Sequence, residues 1–179
     1  ICIHFCHSAI LFKKTVIYYN FELSEKDIIK RLLASVSGVK INELSDNSKQ
    51  VMMKIKSRWQ TLGKIVIQNL SAGIDLGEFK QIVKSQYNTF KPDCIIIDYA
   101  DLITAKIKEK RLQLDYIFTT LKQLAVDFNI AVITPTQANR SSLGKIINID
   151  HVAESFSKVM IADVVISINL LSDLSKQKD

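Results

Sequence analysis

Residues 93–98 read DCIIID, and this stretch decides the fold. Three successive isoleucines leave no alternation of polar and apolar positions, so both faces of the segment must be covered, as in a central strand of a parallel sheet. Pro92 stops what precedes the run, and Asp98 ends it with a carboxylate. Working outward, TVIYYNF (15–21) is a second nearly continuous β-branched and aromatic run. KIVIQNL (64–70) follows Gly63, Ile130–Thr134 makes a further buried strand, and ADVVISINL (162–170) reads as the strand that closes the fold. Helical spacing fills the gaps. Ser24 with Asp27 resembles a capping box and opens a helix on which Ile28, Ile29, Leu32, Leu33 and Val36 recur until Gly38. A helix from about Ser45 to Leu62 would put Val51, Met52, Ile55 and Trp59 on one face. Asp75 with Glu78 caps a helix carrying Leu76, Phe79, Ile82 and Val83. Arg111–Phe128 is amphipathic, Ser141–Asp150 is a polar loop and Val152–Ile161 a short helix. The alternation predicts an α/β domain on a mostly parallel sheet with right-handed crossovers.

Size and composition agree with one domain over residues 1–179. At 179 residues and 47% hydrophobic content, the chain can bury one sizeable core and is too short for two ordinary domains. Five glycines, two prolines and no biased tract leave no linker, repeat or low-complexity segment. A balance of 24 basic to 18 acidic residues, net +6, favours an anionic partner such as nucleic acid without identifying one. The cluster Lys106, Lys108, Glu109, Lys110 and Arg111 reads as a solvated loop or helix start. Three cysteines without regular spacing argue against a disulfide-stapled secreted domain and for a reducing compartment, hence the cytoplasm. ICIHFCHSAILF (1–12) is too short to span a membrane, is interrupted by His4 and His7, and lacks the basic region and cleavage site of a secretion signal. It reads as a helix already in progress. Cys2, His4, Cys6 and His7 invite a metal reading. Only Cys2 and Cys6 share a helix face, neither fits a structural zinc spacing, and buried cysteine is the expectation, as for Cys94.

In open α/β sheets ligands sit beyond the carboxyl ends of the strands, which directs attention to Glu22, Asp98 and Gln137. An Asp emerging from the most apolar strand either holds magnesium, as a Walker B carboxylate does, or caps the following turn. Glu22 follows another strand. It either orients and deprotonates a water attacking a γ-phosphate or sits favourably in the first turn of the Ser24 helix. Gln137 and Arg140 lie in TPTQANRSS (134–142), where a Gln can sense a γ-phosphate and an Arg with nearby serines and Lys145 can hold a nucleic-acid backbone.

Four segments carry a more specific resemblance: FELSEKDIIKRL (21–32), KPDCIIIDYADLI (91–103), LKQLAVDFNIAVITPTQANRSS (121–142) and HVAESFSKVMIADVVIS (151–167). In order and spacing they resemble the motor domain of DnaB-type replicative helicases, especially phage versions, over about residues 1–170. The resemblance implies a RecA-like P-loop NTPase core. It places the catalytic Glu at Glu22, the Walker B Asp and its Mg at Asp98, and the nucleotide-sensing Gln at Gln137. Arg140, Ser141, Ser142, Lys145, Glu154 and Ser155 fall in the region of the loop that grips single-stranded DNA. It further implies ATP with Mg as cofactors, a homo-hexameric ring, and possible primase or helicase-loader partners.

Two departures stand beside the matches. No G-x-x-x-x-G-K-[ST] occurs, although the family carries this loop just before the helix represented by Ile1–Phe12, and no arginine-finger strand follows residue 170. The expectation is a chain truncated at both ends that, alone, binds nucleotide weakly and hydrolyses it poorly. A recombinase or KaiC-like ATPase without unwinding activity, or a non-catalytic ring-forming or loader-binding remnant, are the alternatives.

Overall fold

A computed structural model of the chain describes residues 1–138, 146 and 157–169. Helix α1 (Cys2–Leu11) leads into β1 (Thr15–Asn20), followed by α2 (Glu25–Ser37), α3 (Ser48–Arg58), β2 (Lys64–Asn69), α4 (Leu76–Phe90), β3 (Cys94–Asp98), α5 (Lys110–Phe128), β4 (Ala131–Ile133) and α6 (Ser157–Ile161). The four strands form one parallel sheet in the order β2-β1-β3-β4. Register pairs Asn20 with both Asn69 and Asp98, and Ile96 with Ile133, so the strand ends align along one edge.

The uninterrupted apolar runs are explained by cover on both faces. Ile17, Tyr19, Ile95 and Ile97 pack with Phe79 and Val83 of α4 and with Ile117, Leu121 and Leu124 of α5. Val16, Tyr18, Cys94 and Ile96 face the other way, against Cys2, Cys6 and Ile10 of α1 and Ile28 and Leu32 of α2. Ile95, Ile96 and Ile97 are fully buried, and each contributes about 1.5–3 kcal/mol relative to exposure. Burial also explains the thiols: Cys6 is pushed up to about 12, by desolvation first and then by Cys94 and Cys2. Cys2 and Cys94 rise to about 11 for the same leading reason, so all three stay protonated at neutral pH.

Local signals set the helix ends. Ser24 Oγ accepts from the Asp27 amide at 3.2 Å to cap α2, and Gly38 closes that helix at φ 70°. Asp75 caps α4 by accepting from Gly77 N at 2.8 Å. Gly63 serves close approach: a Cβ there would lie 2.0 Å from the Lys14 carbonyl oxygen. Its amide donates to Ile10 O at 2.7 Å, and Lys64 N donates to Lys14 O at 3.2 Å.

Three expectations need correction or narrowing. Residues 164–169 of the expected closing strand form no strand, and Val164, Val165, Ile166 and Ile168 are exposed. An apolar run supplies strand propensity but not a partner, and a strand exists only through its ladder. The helix expected over Ser45–Leu62 is shorter, and of its predicted face Val51 is buried while Met52 is 51% exposed. Its packing partner is α2 rather than the sheet, so one apolar position suffices. The expected Val152–Ile161 helix is described from Ser157 onward, and the Ser141–Asp150 loop lies outside the described residues except for Ile146.

Candidate functional site

From β1 the chain crosses to β2 through α2 and α3, with α2 packed on the α1 face of the sheet. From β3 it crosses to β4 on the opposite side, through α5 on the other face. Connections that leave two adjacent strands in opposite directions and on opposite faces open a crevice beyond their carboxyl ends. In this sheet that topological switch point lies between β1 and β3, where Phe21 N donates to Asp98 O at 3.2 Å.

Asp98 lies at the centre of the crevice. Its Oδ2 accepts a hydrogen bond from the Tyr18 hydroxyl, which rises from within β1 two residues before its end. Desolvation, and secondarily this hydrogen bond and the carboxylate's charge, raise the Tyr18 pKa well above its ordinary value, so the phenol remains a donor. Beside them is a cavity of about 240 Å³ whose polar wall is Asp98, Tyr18 and Arg31 and whose remaining wall is Ile1, Cys2, Ile3, Leu23, Ile28 and Pro135. Whole-ligand pockets measure roughly 300–1,000 Å³, so this one suits a group of phosphate size with a cation. A carboxylate and the Arg31 side chain on the wall of one small cavity are a set that can meet a cation and an anionic group together.

Glu22 is exposed and stands two residues past the Asn20–Asp98 pair, on the same edge. Its turn is fixed by Asn20, which is 2% exposed. Asn20 Nδ2 donates to Leu23 O and, at 3.0 Å, to Asn69 Oδ1, while Leu23 N donates back to Asn20 Oδ1 at 3.2 Å. Gln137 is also exposed, four residues past β4, and the neighbouring Pro135 reaches the cavity. The turn after Asp98 is tied to this strand exit by Ala100 N donating to Thr134 Oγ1 at 3.0 Å. All three positions therefore share the carboxyl edge, and of the three Asp98 lines the cavity. Arg140, Ser141, Ser142, Lys145, Glu154 and Ser155 lie outside the described residues.

Sequence reading missed Tyr18, Asn20 and Arg31. Tyr18 and Asn20 sit inside a run read as core, and the available signal was a polar tip that burial obliges to find a partner. Arg31 is one of several basic residues on α2, and its contribution to the cavity follows only from the packing of α2 beside α1.

Residues 1–174 match the family described as the DnaB-like helicase C terminal domain. A probable replicative DNA helicase of Guillardia theta is 24% identical over 137 residues, 70% of this chain and 22% of that protein. A probable plasmid replicative DNA helicase of Chlamydia trachomatis is 24% identical over 168 residues, 90% of this chain and 37% of that protein. The chain thus spans between a fifth and two fifths of the length of these relatives. Among solved structures, an ATPase domain superposes with a TM-score of 0.81 at 18% identity, covering 99% of this chain and 68% of the other. A DnaB-like replicative helicase, described with its interactions with primase, gives 0.69 at 20% identity over 84% of this chain and 39% of the other. A KaiC-like protein of Pyrococcus horikoshii gives 0.50 at 16% identity, covering 84% and 55%. The fold is RecA-like.

Proposed function

The chain belongs to the DnaB-like helicase C-terminal domain family, and we propose that it is the motor portion of a replicative DNA helicase that couples ATP hydrolysis to movement along single-stranded DNA. The observation that carries the reading is the cavity at the switch point, where Asp98, held by the Tyr18 hydroxyl, shares the wall with Arg31.

Asp98 would hold Mg beside the phosphates of ATP. When bound, the ion supplies charge neutralisation at the phosphoryl group. Tyr18 keeps the Asp98 carboxylate oriented through its hydrogen bond. Glu22, on the Asn20-pinned turn, accepts a proton from the attacking water or orients it. Gln137 senses the γ-phosphate end of the site from the exit of β4. Arg140, Ser141, Ser142, Lys145, Glu154 and Ser155 are assigned to the single-stranded DNA contact on family grounds. Net charge +6 suits that partner. A homo-hexameric ring, cytoplasmic location, and primase or a loader as partners belong to the same reading. No helix of the described residues is long and apolar enough to cross a membrane.

The test is ATP turnover by the complete protein with and without single-stranded DNA. Stimulation by DNA, and its loss in Glu22→Gln, is the expected result, and unchanged turnover in that variant would contradict the assignment. The second reading is a recombinase or KaiC-like ATPase that does not unwind. An assay on a forked duplex separates the two.

A further inference from the structure

Away from the cavity, α6 inserts a charged side chain into the domain. Lys158 is 4% exposed, and its Nζ lies 2.5 Å from Asp101 Oδ1, 3.2 Å from Thr136 Oγ1 and 5.2 Å from the centre of the Phe118 ring. Thr136 Oγ1 donates to Asp101 Oδ2 at 2.9 Å, which closes a triangle of three side chains. Each corner belongs to a different part of the chain. Asp101 is three residues past Asp98, Thr136 directly precedes Gln137, and Lys158 is on α6.

The energetics make stability a poor reason for this triangle. Desolvating an ammonium and a carboxylate costs several kcal/mol per ion, and a pair of well-packed apolar residues is often at least as stable. Nor does α6 depend on Lys158 alone for its place against α5. Ser157 Oγ donates to Asp115, and Lys122 pairs with Asp163, on either side of it. What the buried pair adds is a fixed geometry between two strand exits that otherwise meet through the Ala100–Thr134 hydrogen bond. An ammonium enclosed by two oxygen acceptors and a ring face tolerates little displacement without loss of its compensation.

We propose that Lys158 is a positioning residue: it clamps the segment carrying Gln137 to the turn that follows Asp98, so that a shift of α6 is transmitted to both sides of the nucleotide cavity. The inference rests on the proposed ATPase reading and adds to it a link between α6 and the site. The chain entering α6 is the stretch assigned above to single-stranded DNA, so the clamp is placed to pass DNA engagement to hydrolysis.

The test uses the complete protein and three variants. Lys158→Met strands the Asp101 carboxylate and should lower the melting temperature by about 5 °C or more. Adding Asp101→Asn removes the stranded charge and should recover most of that loss. Thr136→Val deletes one corner at a more exposed position and serves if the buried variants fold poorly. In the double variant and in Thr136→Val, kcat under saturating single-stranded DNA should fall about fivefold or more while KM for ATP stays near wild type. Wild-type kcat in either folded variant would overturn the inference, since a merely structural pair would be repaired with the melting temperature. A wild-type protein without ATP turnover would instead overturn the proposed function, and this inference with it.

Discussion

Strand β3 begins and ends beside an aspartate, and the two have opposite roles. Asp93, just before the strand, accepts from Lys14 Nζ at 2.9 Å and from Thr15 N at 2.8 Å, which ties the start of β1 to the start of β3. The Thr15 amide first, and then Lys14, hold its carboxyl below the usual range. Asp98, at the other end, accepts from the Tyr18 hydroxyl and faces the cavity that Arg31 also lines. One residue type on one strand thus ties the fold together at the amino edge and, on the proposed reading, serves chemistry at the carboxyl edge. Gly63 belongs with the first group, because it lets the approach to β2 lie against Lys14.

Replacing each group separately breaks or sharpens this contrast. The largest effect is expected for Asp98→Asn: ATP turnover by the complete protein falls about 100-fold or more, equivalent to about 2.7 kcal/mol in the barrier. Melting stays within a few degrees, because the amide still accepts from Tyr18. A stability loss as large as the activity loss would place Asp98 with Asp93. Gly63→Ala should be the mirror image. A Cβ 2.0 Å from a backbone oxygen forces the α1–β1 corner and the β2 approach apart, for about 2–3 kcal/mol of stability in denaturant unfolding. Turnover per folded molecule should be unaffected.

Asp93→Asn comes next. Its partner Lys14 is 55% exposed and Asp93 itself 41%, so screening limits the loss to about 1 kcal/mol or less. The pH dependence follows from the direction of the shift. A carboxyl held low in the folded chain contributes stability above its unfolded value of about 4. That contribution fades as pH falls through the lower native value. The wild-type advantage over Asp93→Asn should therefore be present at pH 7 and vanish in acid. The smallest effect concerns the thiols. With Cys6 at about 12 and Cys2 and Cys94 at about 11, iodoacetamide should label the folded protein far more slowly than the unfolded chain at pH 8.

The same contrast accounts for what the sequence revealed. The alternation of runs such as DCIIID with the Ser24 and Asp75 caps is local, and the layers and strand ends follow from it directly. Asp98, Glu22 and Gln137 could be singled out because each follows an apolar strand. Tyr18, Asn20 and Lys158 could not, since their roles depend on partners 80, 49 and 57 residues away. Gly63 showed as a strand boundary, whereas its necessity comes from the Lys14 backbone across the sheet edge. The 164–169 run misled for a related reason, because propensity is legible in one segment and pairing is not.

The assignment of Asp98 to a cation-bound phosphate is tested most directly by equilibrium binding of a non-hydrolysable ATP analogue to the complete protein, with and without magnesium. Magnesium should tighten binding about tenfold or more in the wild type and have little effect in Asp98→Asn. An equal magnesium enhancement in the variant, with its fold intact, would contradict it.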